Sequence, residues 1–430
     1  MPANMRISLM FAAYPTITAA ILFAVRRLQY QYPFIDRIIT NQATAIRLFH
    51  QASSSSSSTS TSTSTSTVPR QAGPNGSVAS SSPSTGLSAG FRFQIGSAFR
   101  AKDRDDPSSR RAASATTATQ FSHSKIKNKQ RPASGEDAFF VSKIADSHSV
   151  ALGVIDGVGG WNQIGVDACD FSHSLAESMA EITSKLQIDP SQQPQVESRI
   201  LSKFSFPPLI LLDAAYNAIK QEGNVLAGGS TACLGVAHEN GTLQAANLGD
   251  SGFMIFRDGK VHFVSDPQTH FFNAPYQLAI IPPQILERNA RYGGKNFDDK
   301  PSDANLSTHK LRHGDVVLFV TDGVLDNLSP ADCLRIVNEE MITRGNWFLD
   351  KRTGLIKARE SSFVGVDALS SHIVNAAYKA SLDVKNDGPF AREAQRQLHA
   401  MYKGGKPDDI TALVMFVQNK ASGGKTQEKL

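Results

Sequence analysis

The chain is organised around Val150-Ala151-Leu152-Gly153-Val154-Ile155-Asp156-Gly157-Val158-Gly159-Gly160, in which a carboxylate follows directly on an apolar run. The run has the length and the valine content of a strand that is buried on both faces. Glycine has no Cβ, so the backbone after Asp156 can turn sharply and bring a carbonyl oxygen close to a ligand. The stretch alone predicts either a simple turn or a site for a cation.

Three other segments place carboxylates beside the end of an apolar run. They contain Glu136-Asp137, Asp322 with Asp326, and Asp408-Asp409. Converging strand ends would gather these oxygens into one site, where like charges repel one another unless cations neutralise them. No set of cysteines and histidines with ligand spacing accompanies the carboxylates. Ligation by oxygen alone favours Mg²⁺ or Mn²⁺ over zinc.

From about Phe121, short apolar runs alternate with longer amphipathic runs, which predicts an α+β domain with helices covering stacked sheets. The predicted strands are 138–142, 150–155, 231–237, 242–247, 253–257, 260–264, 316–321 and 410–417. The predicted helices are 167–186, 208–222, 330–341, 367–381 and 390–401. Asn240-Gly241 and Asp258-Gly259 are typical of tight hairpins, so much of the sheet should be antiparallel.

The first hundred residues contain eight arginines and a single acid, Asp36. This excess of positive charge is larger than the net charge of +5 of the whole chain, so the basic character of the chain belongs to the leader. It therefore gives no reason to expect nucleic acid as a partner of the folded part. Arginine-rich and acid-poor sequence predicts a mitochondrial targeting segment within residues 1–50. Residues 9–25 leave a membrane-spanning segment open, although they are short and contain Pro15. The predicted location is mitochondrial, in the matrix or attached to the inner membrane.

Low-complexity sequence follows the leader. Residues 53–67 are all serine or threonine. Such composition cannot bury enough apolar surface to fold, so residues 51–120 are predicted to be a disordered linker. The folded domain is predicted over 121–418, followed by a disordered tail at 419–430. Removal of residues 1 to about 110 should therefore leave the domain intact.

Six short motifs rich in glycine and acidic residues lie in a fixed order along this domain. They are Gly135-Glu136-Asp137, Asp156-Gly157-Val158-Gly159-Gly160, Gly228-Gly229-Ser230-Thr231-Ala232, Asn247-Leu248-Gly249-Asp250-Ser251, Thr321-Asp322-Gly323 and Asp408-Asp409-Ile410-Thr411. The set resembles the metal-dependent protein phosphatase 2C family over roughly residues 121–418. Residues 268–278 and the valine at 158 resemble the mitochondrial branch of that family.

The resemblance implies a protein serine/threonine phosphatase, built as a β-sandwich of two mainly antiparallel sheets flanked by helices. It also implies two Mn²⁺ or Mg²⁺ ions, whose ligands would be Glu136, Asp156, the carbonyl of Gly157, Asp322 and Asp408, with Asp156 shared. Catalytic supporting groups that orient water would be Asp137, Asp326 and Asp409. A water bridging the two ions would attack phosphoserine or phosphothreonine, so phosphorylated proteins are the implied partners.

Two positions depart from the family pattern. The family often has histidine as a general acid where this chain has Val158. It also often has a phosphate-binding arginine four residues before the glutamate, whereas Arg131 lies five before Glu136, so Arg131 is either a phosphate ligand or a solvated charge. These departures leave open a second class of function, a domain that binds phosphorylated partners without turnover.

Overall fold

A computed structural model describes residues 90–102, 113–115, 131–144, 148–185, 207–399 and 401–420. All of them belong to one compact unit, Gly86–Leu430. The predicted targeting segment at 1–50 and most of the predicted linker and tail lie outside the described residues. Within the described ranges, no helix combines the length and the apolar character that crossing a membrane requires.

The described residues contain more strands than helices. The strands are β1 (Phe91–Arg100), β2 (Ala113–Ala115), β3 (Ala138–Lys143), β4 (Val150–Ile155), β5 (Gly228–Ser230), β6 (Ala232–Ala237), β7 (Thr242–Leu248), β8 (Gly252–Arg257), β9 (Lys260–Val264), β10 (Thr269–Phe271), β11 (Ala274–Pro275), β12 (Leu278–Ile280), β13 (Asn305–Lys310), β14 (Val316–Val320), β15 (Trp347–Asp350), β16 (Leu355–Ala358) and β17 (Ile410–Asn419). The helices are α1 (Ala168–Lys185), α2 (Pro208–Glu222), α3 (Pro283–Tyr292), α4 (Asp322–Leu325), α5 (Pro330–Thr343), α6 (Val366–Ser381) and α7 (Pro389–Leu398).

Two antiparallel sheets form the centre of the domain. One has the strand order β2-β1-β17-β14-β8-β9 and the other has the order β13-β7-β6-β4-β3. Their facing sides share a buried apolar layer that includes Leu152, Phe253, Phe319 and Leu413. Phe253 and Phe319 stack with ring centroids 5.3 Å apart. This arrangement confirms the predicted α+β fold with a β-sandwich of mainly antiparallel sheets.

Helices cover the outer faces of the sandwich. In α1, Phe171, Leu175 and Met179 recur at helical spacing and are fully buried, so one stripe of the helix packs on the five-stranded sheet beside α2. On the six-stranded sheet, α5 and α6 bury Ile336 and Ile373. The sheets are thereby fixed as a rigid support for the loops at their strand ends.

Strand β1 corrects the predicted domain boundary. It lies inside the predicted linker 51–120, yet it pairs with β17 along ten residues, from Phe91↔Asn419 to Arg100↔Ile410. Ala98 and Phe99 are buried. At Gly96 a Cβ would come within 2.8 Å of the backbone of α6, so the helix packs directly on this strand. The linker prediction for 91–100 is wrong, and because β1 belongs to the six-stranded sheet we expect loss of the first 110 residues to disrupt the domain. At the other end, β17 continues through Asn419, into the predicted tail.

Candidate active site

The loop after β4 fixes the backbone of Asp156. The Thr231 N–H donates to the Asp156 carbonyl at 2.9 Å, and the Asp156 N–H donates to Thr231 Oγ1 at 3.2 Å. Next along the loop, the Gly157 N–H donates to the Glu136 carbonyl at 3.1 Å. A Cβ at Gly157 would lie 2.7 Å from that carbonyl oxygen, so glycine is required by this close approach. The loop thus holds Asp156 beside Glu136.

Glu136 is held by hydrogen bonds of both its side chain and its backbone. Its carboxylate accepts from Asn162 Nδ2 at 2.5 Å, and its N–H donates to Asp409 Oδ2 at 2.8 Å. The second oxygen of Asp409 accepts from the Lys102 N–H at 2.6 Å. Lys102 follows β1 directly, so a segment predicted to be linker contributes a contact to the site.

Asp137 is fully buried behind these groups. Its Oδ2 accepts from Thr321 Oγ1 at 2.9 Å, whereas Oδ1 has no hydrogen-bond partner among the described residues. Burial, and then the negative charge of Asp409, raises the pKa of Asp137 well above the usual value for aspartate. Such a buried carboxylate can hold a proton or orient a neighbouring polar group.

Asp322, Asp326 and Asp408 form a second group of carboxylates. Each offers an oxygen within 4.8 Å of the others. Asp322 begins the short helix α4, Asp326 caps its C-terminus, and Asp408 lies just before β17. The Lys406 ammonium lies among the three. Besides burial, the negative charge of Asp322 raises the pKa of Asp156, so this group lies close to the loop after β4.

The site is crowded with negative charge. Burial raises the pKa values of Asp156, Asp326 and Asp408, and the charge of Asp322 is the next cause for each. For Asp322 itself, burial acts in the same direction, but Lys406 and hydrogen bonds from its neighbours outweigh it and lower the pKa. Lys406 neutralises at most one of these charges. Carboxylate and carbonyl oxygens in this number fit divalent cations such as Mn²⁺ or Mg²⁺.

A family model described as Protein phosphatase 2C matches residues 127–346. The chain belongs to the protein phosphatase 2C family. It is accordingly a protein serine/threonine phosphatase, as the motifs predicted. The alternative of a binding domain without turnover has no support from these matches.

Two relatives and one solved structure are similar to this phosphatase 2C. A Saccharomyces cerevisiae protein, "Protein phosphatase 2C homolog 7, mitochondrial", is 33% identical over 335 residues, 78% of this chain and 85% of that protein. "Protein phosphatase PTC7 homolog fig" from Drosophila melanogaster is 34% identical over 285 residues, 66% of this chain and 77% of that protein. The crystal structure of the photosystem II phosphatase PBCP shares the fold, with a TM-score of 0.51, 23% identity, and coverage of 76% of this chain and 99% of that one. The predicted resemblance to the mitochondrial branch is confirmed.

Asp250 is a further buried carboxylate on which the charges of this phosphatase 2C cluster act, and the sequence analysis gave it no role in the site. It lies in the turn between β7 and β8. Burial raises the pKa of Asp250 to about 7, and the negative charge of Asp322 acts in the same direction. The available signal was the one used for Asp156, because Asp250 also follows an apolar strand.

Arg131 lies along α1 of the phosphatase 2C domain. Its Nη1 donates to Asp170 Oδ1 at 2.8 Å, and its charge acts on His173 and Glu177 of the same helix. The structure therefore brings Glu136, Asp156, Asp322, Asp326 and Asp408 together, with Asp137 and Asp409 behind them, and gives Arg131 contacts with α1. Its assignment as a phosphate ligand stays a prediction.

Proposed function

We propose that this phosphatase hydrolyses phosphoserine and phosphothreonine on proteins at a two-metal site. The ligands would be Glu136, Asp156, the carbonyl of Gly157, Asp322 and Asp408. One observation carries the proposal: the loop after β4 fixes Asp156 beside Glu136, and the Asp156 carboxylate lies near enough to Asp322 for the charge of Asp322, after burial, to raise its pKa. It is therefore placed to serve both halves of the site. When bound, two divalent cations would activate a water for attack on phosphorus and stabilise charge on the phosphoryl oxygens.

The supporting residues hold this geometry. Asp409 accepts a hydrogen bond from the Glu136 N–H and so fixes the backbone there. Thr321 immediately precedes Asp322, and its hydroxyl donates to Asp137. Asp326 shares Lys406 with the proposed ligands, so it can orient water beside them. In this proposal Arg131 exchanges Asp170 for the phosphate of the substrate.

We also propose that the enzyme acts in mitochondria, either in the matrix or attached to the inner membrane. The arginine-rich, acid-poor leader supports this location, and so does the yeast relative, whose name describes it as mitochondrial. Phosphorylated mitochondrial proteins would then be its substrates.

We expect turnover to depend on added metal. The purified protein should release phosphate from a phosphothreonine peptide with Mn²⁺ or Mg²⁺, and chelation should slow release by at least about 10²-fold, since the metals supply both activation and charge stabilisation. Phosphate release is measured before and after EDTA, and again after Mn²⁺ is restored. Full turnover in EDTA would contradict the two-metal proposal. Tight Mn²⁺ binding without turnover on any phosphopeptide would instead indicate a binding domain.

Val158 gives a prediction about the leaving group. Its N–H donates to the Gly229 carbonyl at 3.0 Å, and the residue lies half-buried just before the 3₁₀ helix Gly159–Ile164. We expect Val158→His to raise turnover on a phosphoserine peptide, by up to about 10²-fold, because a protein acid helps most when the leaving alkoxide is strongly basic. Turnover on an aryl phosphate should rise much less.

Val158→Ala is the matched control, because it changes the volume of the side chain at this position without adding an acid. Both variants are compared with the wild type on the two substrates, and Mn²⁺ affinity is measured alongside. If Val158→His binds Mn²⁺ normally and leaves the ratio of the two rates unchanged, another group already supplies the proton.

A further inference from the structure

Lys406 is coordinated by carboxylates as a small cation would be. Its Nζ lies 2.7 Å from Asp322 Oδ2, 2.6 Å from Asp326 Oδ2 and 3.0 Å from Asp408 Oδ2, and its side chain is only 16% exposed. An ammonium has three N–H donors, so these three acceptors satisfy it completely. The same three carboxylates form the group that could hold a metal ion.

The backbone of Lys406 is fixed in this position. Its N–H donates to Asn327 Oδ1 at 2.9 Å, and Asn327 Nδ2 donates back to the Lys406 carbonyl at 2.9 Å. Asn327 is itself buried and also donates to the Gly323 carbonyl at 2.9 Å, in α4. The ring of Phe390 lies 5.0 Å from Nζ and favours a cation there. Only the flexible side chain of Lys406 can withdraw, and its backbone stays beside the site.

Asp322 and Asp408, the proposed ligands of the second cation, each direct a carboxylate oxygen at Nζ. Two positive charges a few ångströms apart repel strongly at a site this poorly exposed to water. Lys102 is a weaker neighbour, since its Nζ lies 3.9 Å from Asp408 and its side chain is 44% exposed. Lys406 is thus the described cation most directly opposed to a metal at these carboxylates.

We infer that Lys406 competes with the second metal ion for Asp322 and Asp408, and so sets how much free metal the phosphatase needs. The inference rests on the proposed two-metal site and adds a regulatory element to it. Metal binding displaces the lysine side chain, and loss of metal lets it return to the carboxylates. Either the metal ion or the Lys406 ammonium thus always offsets part of the negative charge of the site.

The first test is Mn²⁺ binding by calorimetry to Lys406→Met, which keeps the length of the side chain and removes its charge. The weaker of the two binding events should become at least about tenfold tighter, because a competing charge is removed from the site. Lys406→Arg should stay close to the wild type, since it keeps the charge. The matched control is Lys357→Met, which removes an ion pair with Asp350 outside the cluster.

Thermal unfolding provides a readout that does not depend on activity. In EDTA, Lys406→Met should melt several degrees below the wild type, because three neighbouring carboxylates lose their counter-charge. Adding Mn²⁺ should then raise its melting temperature by more than it raises that of the wild type. If the variant does not fold in EDTA, it is purified with Mn²⁺, and a competing chelator is then added to remove the ion. The chelator should remove Mn²⁺ from the variant more slowly, or at higher chelator concentration, than from the wild type.

The outcomes separate this inference from the proposed function. Equal Mn²⁺ affinity of Lys406→Met and wild type, or weaker binding by the variant, would overturn the competitor role alone. If the wild type binds no Mn²⁺ and Asp322→Asn changes nothing, the two-metal site itself is wrong.

Discussion

Asp156→Asn should reduce metal-dependent turnover by at least about 10²-fold, the loss expected when a metal pair loses the ligand its ions share. The change is nearly isosteric, and the Asp156 backbone keeps both hydrogen bonds with Thr231. The fold should therefore survive. Initial rates on a phosphothreonine peptide, measured over a range of Mn²⁺ concentrations, check the prediction.

The stability of the same variant should move in the opposite direction to its activity. Burial and neighbouring carboxylates raise the pKa of Asp156, so its ionised form is disfavoured in the folded protein. Above the unfolded pKa, such a group lowers stability, and removing its charge removes that cost. In EDTA at neutral pH, Asp156→Asn should melt no lower than the wild type. Asp350→Asn is the control for an acid outside the cluster and should keep full turnover. Near-normal Mn²⁺-dependent rates in folded Asp156→Asn would show that Asp156 is not a metal ligand.

Truncation on either side of β1 should separate a folded enzyme from an unfolded chain. A protein beginning at Gly90 keeps β1 and should be soluble and active. One beginning at Asp103 loses ten residues of pairing with β17, the buried Ala98 and Phe99, and the Lys102 contact with Asp409. The exposed edge of β17 would then be available for aggregation. Soluble yield, circular dichroism and phosphate release are compared for the two proteins.

The two truncations also test the targeting proposal. Expressed in cells, the protein beginning at Gly90 should be active in extracts yet absent from mitochondria, because it lacks the arginine-rich leader. Equal solubility and turnover of both truncations would show that β1 is dispensable. Continued mitochondrial import of the shorter chains would place the targeting signal elsewhere.

Strands that are buried on both faces could be predicted from the sequence. β4, β14 and most of β17 are continuous apolar runs, and little besides a buried strand fits them. β13 could not be found in this way, because it is a polar and largely exposed strand whose position depends on pairing with β7. β1 was missed for another reason: Gly96 and Ser97 interrupt its apolar pattern, and low-complexity sequence precedes it.

The candidate site also contains residues that could be predicted from the sequence and residues that could not. Asp156, Asp322 and Asp408 follow or precede apolar strands, and convergence of strand ends was enough to predict that they would cluster. Lys406 and Lys102 carry no such signal, because a lysine in a loop is usually solvated and only the fold turns these two toward the carboxylates. Local pattern therefore identified acids, and tertiary structure was needed to identify their counter-charges.

Strand β17 lies between β1 and β14, although it is the last strand along the described chain. A chain that emerges from a ribosome or a membrane pore with its N-terminus leading presents β1 long before β17, with which β1 pairs along ten residues, has appeared. The six-stranded sheet can be completed only when nearly the whole chain has arrived, and such long-range pairing forms late in folding. Asp408 and Asp409 immediately precede β17 and arrive with it. The candidate active site can thus be completed only after β17 has joined the sheet.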